Sequence, residues 1–164
     1  MAKDAYNTWY KAGSHAVRSA CEQGVAGALK AHELLTDPGA QALAAEGAEM
    51  AKRNEAAFVG ILKDIGETPN DFVDRIMEGI GKGIEMSVKA TEDKSVLDVA
   101  LITGEQTAIH YFIAGFGAHA AAAKALGMPK HAEMLKGMID ECKALDEKYT
   151  ECAEGTVNKA AAAA

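Results

Sequence analysis

The tetrapeptide TDPG at residues 36–39 separates two long segments of helical composition near the start of this chain. Its aspartate and proline are typical of a helix start, because a carboxylate accepts hydrogen bonds from the first backbone amides and proline fits the first helical position. We therefore predict a first helix from about Asp4 to Leu35 and a second from Pro38 to about Ile65, where Gly66 provides a stop.

The second half of the chain has the same arrangement. Residues 127–129 read GMP and separate a third predicted helix, from about Ser95 to Leu126, from a fourth between Pro129 and about Gly155. Residues 67–93 link the two hairpins, and their apolar spacing predicts one or two short helices between Asp71 and Lys89. Short links make neighbouring helices antiparallel, whereas a long link permits a crossover. The chain is therefore predicted to be all-α, a ferritin-like four-helix bundle of two antiparallel helical hairpins joined by a long crossover.

Length and composition favour one domain, residues 1–158, because the 164 residues are 49% hydrophobic and 25% charged. The Ala-rich end, residues 159–164, is interpreted as a disordered or cloning-derived tail. No apolar run reaches the roughly 18 to 20 residues of a membrane helix, and a net charge of −7 argues against a nucleic-acid surface. Three scattered cysteines and the lack of a secretory signal favour a cytoplasmic location. We expect neither a nucleic-acid nor a membrane partner.

The predicted helices carry an apolar middle where a ferritin-like bundle usually holds a di-metal site. Such sites commonly use Glu-x-x-His motifs, and the chain contains none. Helical spacing predicts an inward seam on the third helix, formed by Ile102, Glu105, Ile109, Phe112, Phe116 and His119. The same spacing on the second and fourth helices leads to a predicted core plug of hydrocarbon, ring and sulfur rather than a cation site. Its residues are Met50, Ile109, Phe112 and Cys142.

Several short motifs in this chain resemble the YciF/YciE-like family, bacterial ferritin-like domains of unknown function associated with stress responses. They include MEG at residues 77–79, DVALI at 98–102, HY at 110–111 and FG at 116–117. The resemblance extends from about Phe72 to Ala153 and implies a ferritin-like fold.

The same resemblance implies that the metal ligands of the family are substituted in this chain. The family's third helix carries EHYEIA, in which both glutamates are expected ligands, whereas this chain has IHYFIA at residues 109–114. Two adjacent glutamates of the family's fourth helix correspond here to Glu141 and Cys142. We therefore hypothesise a non-catalytic, stress-related bundle protein that kept the fold, lost the di-metal carboxylate site and uses no cofactor.

Two alternative functions stay open. A di-iron or di-manganese oxidase or peroxide-protective protein would need a shifted Fe or Mn site made of Glu22, Glu49, Glu105 and Glu141. A small apolar ligand would instead bind in the bundle core, surrounded by the four plug residues.

Individual side chains inside and outside the plug lead to further expectations. Glu105 is expected to be paired or hydrated, because an isolated buried charge is costly. Cys142 is expected to be an inert buried thiol. The apolar crossover residues predict a homodimer, because a single bundle leaves them uncovered; they are Phe72, Ile76 and Ile80. Three isolated histidines are predicted to lie on the surface, namely His15, His32 and His131.

Overall fold

The computed structural model describes residues 2–91 and 93–164, and these residues form helices without any β-strand. A short 3-10 turn precedes the fourth α-helix, and a π-helical turn follows the fifth. The α-helices are α1 (Ala2–Leu34), α2 (Pro38–Asp64), α3 (Arg75–Ala90), α4 (Leu97–Ala125), α5 (Pro129–Cys152) and α6 (Asn158–Ala163).

Four of these helices form the bundle. Helix α1 packs along α2 and α4 packs along α5, while contacts of α1 with α4 and of α2 with α5 join the two pairs. Only three residues connect the helices within each pair, which makes them antiparallel neighbours. The crossover between the pairs contains α3, which packs on α4 and α1. The predicted ferritin-like four-helix bundle is confirmed, and its crossover holds one helix.

Local capping explains where the helices begin and end. The Asp37 carboxylate accepts a hydrogen bond from the backbone amide of Ala40 at 2.9 Å, with proline at the first position of α2. Asp74 caps α3 in the same way through the amide of Met77 at 2.7 Å. Gly66 and Gly127 follow α2 and α4 with φ of 75° and 81°, a region that side chains with a Cβ avoid.

The end of the bundle near the α1–α2 turn is held by a buried carboxylate. Asp98, in the first turn of α4, accepts hydrogen bonds from the backbone amides of Thr36 and Asp37 and from the Thr36 hydroxyl, at 2.7 to 2.8 Å. A single side chain thus joins the two hairpins at this end.

The predicted inward seams coincide with the core. All six seam residues of α4 are buried, and so are Leu135, Met138, Cys142, Leu145 and Tyr149 of α5.

The histidine predictions were partly wrong. His32 is exposed, but His15 and His131 are each only 7% exposed, because residues that follow or end α2 cover them. His131 lies 3.2 Å from Asp64 and 3.3 Å from the Tyr10 hydroxyl.

The C-terminal residues continue the helical path of α5. The π-helical turn Ala153–Val157 buries Val157, and α6 follows it over part of the Ala-rich run that was predicted as a tail. Within the described residues, no helix combines the length and the apolarity that crossing a membrane requires.

Candidate functional site

The four residues of the predicted core plug all lie in one buried apolar cluster. Met50 and Ile109 are each 4% exposed, Phe112 is 5% exposed and Cys142 is fully buried. Phe112 stacks on Phe116 with ring centroids 5.5 Å apart. The side chains at these four positions are therefore buried and apolar, but the middle of the bundle is not packed solid.

A cavity of about 520 Å³, which we call the α1–α3–α4 cavity, extends from the gap between α1 and α3 into the middle of the bundle. Its volume lies within the range of roughly 300–1,000 Å³ that small-molecule sites occupy. The exposed lining residues all belong to α1 and α3, so the mouth lies between these helices. The buried wall includes Gly47, Met50, Leu101, Ile109, Phe112 and Leu145. Three of the four plug residues thus form the wall of a cavity, and Cys142 lies behind it.

Small residues and one close helix contact produce the cavity. A Cβ at Gly104 of α4 would lie 2.7 Å from Cγ1 of Ile84, so α3 approaches α4 closely at that point. In contrast, a Cβ at Gly27 of α1 or at Gly81 of α3 would meet nothing within 4 Å. Helix α3 therefore rests on α4 while its side toward α1 stays open. The sequence signal for this cavity is the glycine content of both facing helices.

Glu105 is the one buried acidic residue in the lining of the cavity. It is 8% exposed, and no hydrogen bond or ion pair to its carboxyl occurs within the described residues. Burial raises the pKa of Glu105 from 4.5 to about 7. Glu105 was expected to be paired or hydrated; no group of the described residues pairs with it, which leaves hydration as the expectation. Among the described residues, the Tyr149 hydroxyl is also buried without a hydrogen-bond partner. Burial, followed by the nearby Glu105 charge, raises the pKa of the Tyr149 hydroxyl.

The structure does not bring together the four glutamates of the alternative shifted metal site. The Glu22 side chain is 61% exposed and pairs with Arg18 at 3.2 Å, and that of Glu141 is 54% exposed and pairs with Arg53 at 3.1 Å. Glu49 is also exposed, so only Glu105 points into the core. Within residues 2–91 and 93–164, no group of three or more His, Cys, Asp or Glu side chains is placed to hold a metal ion.

The buried thiols lack the surroundings that activate a nucleophile. Burial, together with the Glu141 charge, raises the pKa of Cys142 to about 12. Burial also raises the pKa of Cys21 well above its ordinary value. Since the thiolate is the reactive form, these two thiols act as small apolar side chains.

The second buried polar residue of the α4 seam, His119, lies in an aromatic cluster at the other end of the bundle. Its ring stacks on Trp9 at 5.2 Å and meets Phe58 edge-on at 5.9 Å. Nδ1 donates to the Gly115 carbonyl at 2.9 Å, and Nε2 is buried. Burial lowers the pKa of His119, while hydrogen bonds with the backbone at Gly115 and Gly13 oppose that shift. His110 is exposed and lies 3.1 Å from Asp146, far from this cluster along α4.

Comparisons with known proteins agree with this architecture. The chain is 41% identical to Protein YciF of Escherichia coli (strain K12) over 85 residues, which cover 52% of this chain and 51% of that protein. The match thus spans about half the length of that relative. The crystal structure of the E. coli stress protein YciF superposes with a TM-score of 0.87 at 25% identity, covering 94% of this chain and 98% of that one. YcfI of Rhodopseudomonas palustris, at 24% identity, shares the fold with a TM-score of 0.80 over 84% of this chain and 88% of its own.

The match to a family model is longer than the 85-residue match to the sequence of Protein YciF. The model for DUF892, a domain of unknown function, matches residues 11–162, which include most of α1 and all of α2, α3, α4 and α5. The resemblance noted on short motifs of the second half therefore extends to the first hairpin. This chain belongs to the DUF892 family.

Proposed function

We propose that this protein is a non-catalytic ferritin-like bundle protein that kept the fold and lost the di-metal carboxylate site. The observation that carries the proposal is the burial of Ile109 and Phe112 in the apolar core, at the positions where the family resemblance places glutamate ligands. The side chains at these two positions supply no oxygen ligand for a divalent cation, because hydrocarbon has no donor atoms. The stress-related part of the proposal rests on the name of the E. coli stress protein YciF, whose fold this chain shares.

Metal content after purification without a chelator tests this proposal. We expect iron and manganese, measured by elemental analysis, to be far below one atom per chain. One or two atoms of either metal per chain would overturn the proposal and favour the di-iron or di-manganese alternative. In that case Glu105→Gln should remove the metal, because Glu105 is the only buried carboxylate of the proposed shifted set.

A second function, the binding of a small apolar molecule, is favoured by the α1–α3–α4 cavity. This cavity of about 520 Å³ has a largely apolar wall. An apolar ligand bound there would move apolar surface out of water, which is favourable. The test is calorimetric titration with a ten-carbon alcohol, compared between the parent protein and Ala108→Leu, which projects a larger side chain from the cavity wall. Ala114→Leu, an exposed position on the same helix outside the lining, is the matched control.

The exposed apolar residues of the crossover support a homodimer. Phe72 is 48% exposed and Ile76 is 62% exposed, while Ile80 is half-buried because it turns toward the cavity. Sedimentation should give twice the mass of one chain, and Ile76→Lys should restore the monomer.

The free cysteines and the net charge of −7 support a cytoplasmic location without a nucleic-acid partner. Fractionation and a filter-binding assay with duplex DNA test these two points.

A further inference from the structure

The α1–α3–α4 cavity has a largely apolar wall and one buried carboxyl for which the described residues provide no partner. Glu105 is 8% exposed and lines the cavity, and the residues that flank it in the lining include Leu101, Ile109 and Leu145. Buried carboxylates normally accept hydrogen bonds or pair with a cation, because an isolated one costs several kcal/mol or must be protonated. No group in the described part of the chain provides either.

We propose that the α1–α3–α4 cavity binds an elongated apolar molecule that carries one basic amine, and that the ammonium group of this ligand pairs with Glu105. This inference rests on the proposed binding of a small apolar molecule and deepens it by naming the head group. The ligand would lie with its amine toward the middle of the bundle and its hydrocarbon toward α3.

The charges around the cavity favour a cationic head group over an anionic one. At the buried end, Glu105 is the only charged residue among the described residues of the lining, and it would repel a carboxylate or phosphate. At the mouth, two of the three lysines are already paired. Lys30 pairs with Glu85 at 2.7 Å, and Lys82 pairs with Glu78 at 2.9 Å. The third lysine, Lys89, is exposed, so an anionic head group could be held only at the solvent edge of the mouth and not at the buried end.

Because Glu105 is buried, its pairing with a ligand ammonium group makes the cavity selective for an amine. Charge–charge attraction is strongest where water is excluded, and a buried carboxylate that already lacks hydrogen bonds gains more from a donor than an exposed one does. The glutamates at the mouth, Glu78 and Glu85, are already paired, so among the described residues of the lining Glu105 alone offers a buried negative charge to an amine. A single amine at one end of an apolar chain is the chemistry that fits this arrangement.

Titration calorimetry with three probes of equal chain length tests the inference. Decylamine, decanol and decanoate, each below its micelle concentration, are titrated into the full chain at neutral pH. We expect decylamine to bind tightest and decanoate weakest. Glu105→Gln should weaken decylamine roughly 10- to 100-fold, the range that charge-assisted hydrogen bonds contribute, while decanol changes less than about threefold. Glu141→Gln, which removes an exposed carboxylate outside the lining, should leave all three unchanged.

The possible failures are distinguishable. Equal affinity for the amine and the alcohol, or an equal loss for Glu105→Gln and Glu141→Gln, would overturn the amine inference and leave apolar binding in place. Tighter binding of decanoate than of decylamine would overturn it as well. Binding of none of the probes, or binding that Ala108→Leu does not weaken, would overturn the proposed apolar binding itself. Circular dichroism melting of each variant confirms that it is folded before its affinity is interpreted.

Discussion

Replacing Glu105 with glutamine should change how the stability of the protein depends on pH. In the unfolded chain this carboxyl titrates near 4.5, whereas burial in the cavity raises its pKa in the folded protein to about 7. The folded state therefore holds a proton that the unfolded state has already released. Glu105 contributes its full share of stability below about pH 4.5, and this share is lost as the pH rises through about 7.

The size of the effect follows from the pKa change. A tenfold change in a protonation equilibrium is worth about 1.4 kcal/mol, so a rise from 4.5 to about 7 corresponds to about 3 kcal/mol at alkaline pH. For a chain of this length, each kcal/mol shifts the melting temperature by about 2–4 °C. The Glu105→Gln variant should therefore melt close to the parent at pH 5 and roughly 6–12 °C above it at pH 9, because the amide cannot ionise.

Thermal melting followed by circular dichroism at pH 5, 7 and 9 measures this difference directly. The difference in melting temperature between the two proteins cancels the contributions of the other carboxylates, such as Glu67 and Glu85. Hydrogen bonds and charge from Lys11 and Lys30, respectively, lower the pKa values of these two carboxyls. Glu141→Gln serves as the control, since an exposed ion pair contributes at most about 1 kcal/mol. A parent-to-variant difference that stays constant from pH 5 to pH 9 would refute the burial of an ionisable carboxyl in this cavity.

Four further substitutions test the packing, each by its melting temperature at neutral pH. Ile109→Glu should melt well below the parent, because it puts a second unpaired carboxylate in the core at a cost of at least a few kcal/mol; an unchanged value would mean that the position is exposed. Asp98→Ala should cost about 1–3 kcal/mol, because it leaves the donors of the α1–α2 turn without their acceptor. Gly24→Ala should destabilise the protein by about 1–3 kcal/mol, because its Cβ would lie 2.7 Å from the ring of Phe112. Gly27→Ala, with open space on the same helix, should instead stabilise it by about 0.5–1 kcal/mol, and equal effects of the two would contradict the close contact of α1 with α4.

The helix limits and the inward seams followed from the sequence because the signals that set them are local. The Asp37–Pro38 start of α2 and the glycine stops at Gly66 and Gly127 act within one turn of the chain, and the structure has them where they were predicted. The seam of α4 depends only on helical spacing, and every residue assigned to it is buried. Link lengths then determined which helices pair, since a three-residue link allows no other arrangement.

The environment of single side chains depended on contacts between segments that are distant in sequence. His15 and His131 look isolated along the chain, yet the end of α2 and the residues after it cover both rings. Glu105 was correctly assigned to the inward seam, but whether it met a partner depended on which side chains of the other helices reached it. None in the described part of the chain does, although the buried Tyr149 hydroxyl lies near enough for the Glu105 charge to raise its pKa.

The sequence by itself determined the fold class of this protein, a ferritin-like four-helix bundle, and it placed the apolar side chains of Ile109 and Phe112 in the middle of the bundle. Only the tertiary structure decided that this middle is hollow on one side. A cavity is the difference between the separation of helices and the volume of the side chains between them, and that separation is set where α3 rests on α4 at Gly104 and Ile84. No local pattern encodes this distance, so the cavity, its mouth between α1 and α3, and the unpaired carboxyl of Glu105 inside it emerge only when all five helices are in place.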